Sequence, residues 1–162
     1  MKDYIGVKVV AAEPMSRGEY NEYRGWKIPS DENPADEGYH IRYSDEYESW
    51  CPKKQFYEAY RRCDNMTFGI AIEALKKGKK VARAGWNGKG MFLYYVPVGA
   101  YAPCTEIAAS LVNENGLVEY GAYIAMKTAQ GNVVPWLASQ TDMLAEDWII
   151  MGVSQSLCKP PN

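Results

Sequence analysis

Thr67-Phe68-Gly69-Ile70-Ala71-Ile72-Glu73-Ala74-Leu75-Lys76-Lys77-Gly78 is the stretch on which the reading of the fold turns. Phe68, Ala71, Ile72 and Leu75 recur at i, i+3, i+4 and i+7, one face of a helix. Thr67 is an N-cap candidate, Lys76 and Lys77 suit the negative end of the helix dipole, and Gly78 is a natural stop. The spacing predicts a helix over 68–77. Downstream the pattern changes. Lys79 to Ala84 reads as a strand, Gly85 to Gly90 as a glycine-rich turn, and Met91 to Val96 as a second strand. Ala122 to Thr128 and Asn132 to Leu137 form a predicted hairpin around Ala129-Gln130-Gly131. Ser139 to Asp142 starts a short helical turn, Asp147 to Met151 is a last strand, and Ser154 to Asn162 reads as a frayed tail. Pro97 to Glu119 reads as irregular. One helix followed by antiparallel strands is an α+β arrangement.

Upstream, residues 1–64 differ in character. They hold 10 basic and 13 acidic residues and eight of the 13 tyrosines, while residues 65–162 hold 8 basic and 7 acidic. Tyr4 to Ala12 carries the β-branched run of a strand, and the proline-bearing segment 13–35 reads mostly as loop. Tyr39, Ile41 and Tyr43 alternate with polar residues, Ser44-Asp45-Glu46 turns the chain, and Tyr47 to Trp50 returns as a hairpin arm. A short helix follows from Pro52 to Tyr60. The expected organisation is a small β-rich module at 1–64, a main domain at 65–151 and a tail at 152–162.

The 162 residues carry 18 Lys+Arg against 20 Asp+Glu, a net charge of −2, which argues against a general nucleic-acid coater. A 47% hydrophobic content argues against disorder, and no apolar run approaches the ~20 residues of a membrane span. Met1-Lys2-Asp3-Tyr4 lacks the features of a signal peptide, so a soluble protein that stays where it is made is expected. Cys51, Cys63, Cys104 and Cys158 are 12, 41 and 54 apart, which excludes close ligand pairs of the zinc-ribbon or thioredoxin kind. His40 is the one histidine. Its simplest reading is a solvent-facing strand residue.

Three clusters could carry chemistry. Lys76, Lys77, Lys79, Lys80, Arg83 and Lys89 form a basic run without acidic residues. It is either a solvated helix end or a phosphate-attracting surface, and Arg83 is suited to bidentate phosphate contacts. In Arg83 to Gly90, Trp86 can stack on a flat ring and Asn87 can read its edge, or the segment is a tight turn with Trp86 in the core. In Val134 to Asp142, Trp136 supplies another ring, and Ser139, Gln140, Thr141 and Asp142 line a helix start. These polar groups either cap that helix or meet a ligand. Asp142 and Glu146 would share a helical face, the one arrangement that suggests acid–base chemistry or a metal, but no nucleophile set accompanies them.

Met66 through Leu93 and Tyr123 through Trp148, with an irregular insert between them, resemble the Thoeris anti-defence protein 2 family of phages and prophages. The resemblance covers residues 65–151 and implies a twisted antiparallel sheet wrapped around one main helix. It implies a non-catalytic sponge without cofactor, acting in the cytoplasm of the infected host. Such a sponge sequesters the cyclic ADP-ribose isomers, such as glycocyclic ADP-ribose, made by bacterial TIR proteins, and in some members the cyclic dinucleotides of CBASS systems. It further implies a homotetramer with ligand sites where subunits meet. Residues carried over within the motifs are Trp86, Asn87 and Trp136 for stacking and edge contacts, and Arg83 for phosphates. Ser139, Thr141 and Asp142 would meet ribose or phosphate oxygens, and Phe68 would form an apolar wall. The first 64 residues depart from the short members and resemble a small module fused to other phage proteins. The competing readings are an enzyme that degrades the same signal and a phage structural or assembly protein.

Overall fold

The computed structural model describes residues 7–86 and 89–152. The predicted site residue Asn87, Cys158 and the tail from Ser154 lie outside the described residues. The chain divides into two compact units, Met1–Arg61 and Arg62–Asn162. Both mix helices with antiparallel sheet, an α+β architecture.

The first unit is a three-stranded sheet of order β1-β2-β3 with two helices: β1 (Ala11–Pro14), α1 (Arg17–Tyr23), β2 (Gly38–Arg42), β3 (Glu48–Pro52) and α2 (Lys53–Ala59). The β2–β3 hairpin forms as the alternation predicts, pairing Gly38 with Pro52 through Arg42 with Glu48. Its turn places Glu46 at a φ of 62°. Segment 13–35 is mostly loop, as expected, but it also holds α1, which the reciprocal capping box of Ser16 and Glu19 starts. The expected strand over Tyr4 to Ala12 is corrected: its first residues, Tyr4 to Gly6, lie outside the described residues, and among the described ones the strand begins at Ala11 and runs into Pro14, pairing with β2 up to Tyr39.

His40 is also corrected: it is buried, not solvent-facing. It sits on the central strand, opposite Glu13 and Trp50, with the Tyr20 and Tyr23 rings of α1 against it. Nδ1 lies 3.2 Å from Glu13 Oε1 and Nε2 lies 3.4 Å from Glu48 Oε1. Gly38 leaves room for the indole of Trp50, which donates to the Met15 carbonyl at 2.8 Å.

The second unit holds α3 (Phe68–Lys76), β4 (Val81–Arg83), β5 (Phe92–Val96), β6 (Gly99–Tyr101), α4 (Glu106–Ala109), β7 (Val118–Tyr120), β8 (Tyr123–Lys127), β9 (Val133–Pro135), α5 (Gln140–Met143) and β10 (Trp148–Ile150). Thr67 has the extended backbone of an N-cap but no side-chain cap bond, and Gly78 closes the helix with a φ of 74°. Five strands pair antiparallel in the order β10-β4-β5-β8-β9. Among the described residues, the last strand in the chain therefore lies beside the first strand of this sheet. Helix α3 packs on β10, β5 and β4, and its Ala71, Ala74 and Leu75 join Met66, Val81, Leu93 and Trp148 in one buried core.

Segment 97–119 is irregular over most of its length, as expected, but it holds three short elements. β6 and β7 pair from Gly99–Tyr120 to Tyr101–Val118, and Thr105 caps α4 by accepting from the Ala108 amide at 3.1 Å. A turn follows in which the Asn113 side chain accepts from the amides of Asn115 and Leu117. These cues are short and local, so they do not stand out against a hydrophobic periodicity.

Candidate functional site

The site is built around an aromatic cluster whose members come from four places in the chain. Phe68 opens α3, Trp86 follows β4, Trp136 follows β9 and Trp148 begins β10. The Trp148 ring is fully buried and forms the floor. Ring centroids lie 5.7 Å from Trp148 to Trp86, 6.0 Å to Trp136 and 5.4 Å to Phe68. Trp86 and Trp136 meet each other edge to face at 6.4 Å. Both are half-buried, pack against the core and keep part of each ring open to solvent. A solvent-reaching indole on a buried apolar base can take a stacked planar ligand without being mobile.

A polar belt runs along this cluster. Ser139 caps α5, and Asp142 completes a capping box with it: the Asp142 amide donates to Ser139 Oγ at 3.1 Å, and the Ser139 amide donates to Asp142 Oδ2 at 3.1 Å. The other oxygen, Oδ1, accepts from Arg83 Nη1 at 3.1 Å. Arg83 Nε donates to Asp147 Oδ1 at 2.7 Å, and Asp147 Oδ2 accepts from the Gly85 amide at 3.2 Å. The Trp148 indole N–H donates to the Asp142 carbonyl at 3.0 Å, which joins belt and floor.

These contacts set the ionisation. The hydrogen bond from Arg83, reinforced by the Gly85 amide, holds the Asp147 carboxyl below its ordinary range against partial burial. Burial works against ionisation of Asp142, but bonds from Ser139 and Arg83 outweigh it and lower its pKa. Asp147 first, and Asp142 after it, raise that of Arg83. One cation between two anions leaves the trio with a net charge of −1.

Among the predicted site residues, Phe68, Arg83, Trp86, Trp136, Ser139 and Asp142 thus fall in one connected network. Thr141 is an exposed residue of α5. Arg83 is held by two aspartates, and Asp142 by Ser139 and Arg83, so neither is an isolated ligand group. Glu146 follows the end of α5, so it does not share a helical face with Asp142. Among the described residues no group of three His, Cys, Asp or Glu is placed to hold a metal ion. Asp147 and Trp148 are not among the expected site residues: both stand at the end of the closing motif and read there only as the start of the last strand.

Apart from Arg83, members of the basic run lie elsewhere. Lys79, Lys80 and Lys127 line an open pocket of about 420 Å³ with Phe92, Tyr94 and Val133, and Lys80 sits 5.0 Å over the Phe92 ring. Lys76 pairs with Glu73 at 2.9 Å.

Residues 66–151 match the family model of the Thoeris anti-defense 2-like domain. A protein of Bacillus phage SP01 named Thoeris anti-defense 2 is 44% identical over 87 residues, which span 53% of this chain and 94% of that protein.

Proposed function

Because the chain belongs to the Thoeris anti-defense 2-like family, we propose that it is a phage anti-defence protein that binds and sequesters a cyclic ADP-ribose-type immune signal, glycocyclic ADP-ribose in the first instance. The observation that carries the reading is the convergence of Trp86 and Trp136 at 6.4 Å over the buried Trp148, with the polar belt alongside. Partly exposed indoles beside a row of donors and acceptors offer the stacking and polar contacts that a flat base joined to ribose and phosphates requires. Stacking contributes about 1–3 kcal/mol per base.

In this reading Trp86, Trp136 and Phe68 supply stacking and apolar contact, and Asn87 reads the edge of the base. Arg83 meets phosphate oxygens through donors not taken by the aspartates. Ser139, Thr141 and Asp142 serve the ribose or phosphate oxygens. The protein acts by holding its ligand intact and does no chemistry on it. Residues 65–151 are the sequestering domain, and their sheet curls around α3. Residues 1–64 are an accessory module. The same family reading extends to cyclic dinucleotides of CBASS systems, a homotetramer and action in the host cytoplasm.

Calorimetric titration of the full chain with 1″–3′ glycocyclic ADP-ribose tests the reading, followed by heat release and chromatography of the ligand. Sub-micromolar binding, about −8 kcal/mol or better, with intact ligand recovered is the expected result. A ligand changed in mass would make the protein an enzyme. Absence of heat with this ligand and with cyclic dinucleotides would remove the sponge reading.

A further inference from the structure

We propose that Asp147 is a positioning residue of the ligand site: its two carboxylate oxygens hold the Arg83 side chain and the backbone of the Trp86 turn in one fixed arrangement. The proposal rests on the ligand reading above and deepens it.

The geometry ties residues 83–86 to residue 147 at three points. The Ala84 amide donates to the Asp147 carbonyl at 2.9 Å, the Gly85 amide donates to Oδ2 at 3.2 Å, and Arg83 Nε donates to Oδ1 at 2.7 Å. The Trp86 amide then closes the turn on the Arg83 carbonyl at 3.1 Å. Each oxygen of one carboxylate therefore has a separate task, one on the side chain before the turn and one on the turn's backbone. Strand pairing does not need either bond, because β4 and β10 already pair from Trp148–Arg83 to Ile150–Val81 through their backbones. What the carboxylate adds is the orientation of the turn that carries Trp86.

The neighbouring bonds extend this control. Asp142 grips Arg83 from α5, and Ser139 holds Asp142. Among the described residues, these aspartates take two of the guanidinium's five N–H donors and fix its plane. Ser139, Asp142, Arg83, Asp147 and Gly85 so form a continuous belt from the Trp136 side of the cluster to the Trp86 side. Asp147 directly precedes Trp148, so the belt and the aromatic floor are anchored at adjacent residues. A turn held at this many points meets a ligand with its tryptophan already placed, which lowers the ordering cost of binding.

The test compares the full chain with Asp147→Asn and with a control, Thr105→Ala, which removes the cap of α4. Each is followed by near-ultraviolet circular dichroism, thermal melting and calorimetric titration with 1″–3′ glycocyclic ADP-ribose. Asp147→Asn is expected to keep a cooperative melt, to alter the near-ultraviolet tryptophan signal, and to weaken binding about tenfold or more. Thr105→Ala is expected to melt lower with unchanged affinity, the pattern of a merely structural residue. Unchanged affinity in folded Asp147→Asn overturns the proposal, as does weaker binding with an unchanged tryptophan signal. Should Asp147→Asn not fold, Arg83→Lys decides in its place, since an ammonium keeps the charge but cannot span both carboxylates in the guanidinium's plane. Wild-type-like binding by Arg83→Lys overturns the proposal. Failure of the wild type to bind would sink the ligand reading instead. The tryptophan signal alone would then decide whether Asp147 positions the turn, an altered signal supporting it and an unchanged one refuting it.

Discussion

Replacing Arg83 with Met is the most informative perturbation of the belt, because it removes one cation from between two anions. Arg83 gives one charge-assisted bond of 2.7 Å to Asp147 and one of 3.1 Å to Asp142. Such bonds contribute about 1.5–3 kcal/mol each when shielded from water. Shielding here is incomplete: the side chains are 19% exposed for Arg83, 16% for Asp142 and 35% for Asp147, which moves the estimate toward the lower end. The methionine chain recovers some apolar packing, and the two carboxylates lose their shared counter-charge. The net loss at pH 7 is about 2–3 kcal/mol, which for a unit of this size lowers the melting temperature by roughly 10–20 °C. The pH dependence is the sharper reading. Both carboxyls titrate below their ordinary range in the folded wild type. A depressed folded pKa gives stability that is complete above the unfolded value, about 3.9, and is lost as pH falls through the folded value. In Arg83→Met the main cause is gone for Asp147, while Ser139 still acts on Asp142. The two proteins should therefore converge in stability below about pH 4. Urea titrations followed by circular dichroism between pH 7 and 3 measure this. A difference under about 0.5 kcal/mol at pH 7, or curves that run parallel down to pH 3, would refute the ionic account of the belt.

Two further substitutions test the local arguments. Ser139→Ala removes the cap of α5 and one hold on Asp142, and a loss of about 1 kcal/mol in urea titration is expected; no loss would mean that Asp142 and the backbone hold α5 without the hydroxyl. Gly38→Ala would drive a Cβ into the Trp50 ring and the Cys51 carbonyl, where the indole is pinned by its bond to Met15. A destabilisation of about 2 kcal/mol or more, read by hydrogen exchange of β2 and β3, is expected, and a change within about 0.5 kcal/mol would show that the sheet can shift.

Much of the fold is legible along the chain because the signals are local. The apolar spacing from Phe68 to Leu75 with Gly78 behind it marks α3, and alternation marks the hairpins at 38–52 and 123–135. The capping box Ser16-x-x-Glu19 was present as a signal too, but the prolines around it favoured a loop reading. In 97–120 the elements are three or four residues long, too short for any periodicity to declare itself.

The aromatic and polar residue types of the site are also written in the sequence, since Trp86, Trp136, Ser139 and Asp142 stand in conspicuous turns and caps. Their partners are not. Arg83 reads as a free cation for phosphate, yet it meets aspartates 59 and 64 residues away. His40 reads as solvent-facing, yet α1 and its cross-strand neighbours bury it. The sequence by itself determined the longer helices and strands and which residues carry rings and charge, because propensity and periodicity act over a few neighbours. Only the tertiary structure decided that β10 lies beside β4, and with it that Trp148 floors the cluster and Asp147 grips the Trp86 turn. Strand order depends on burying one shared apolar face across the whole sheet, and that condition leaves no mark in any short window of the chain.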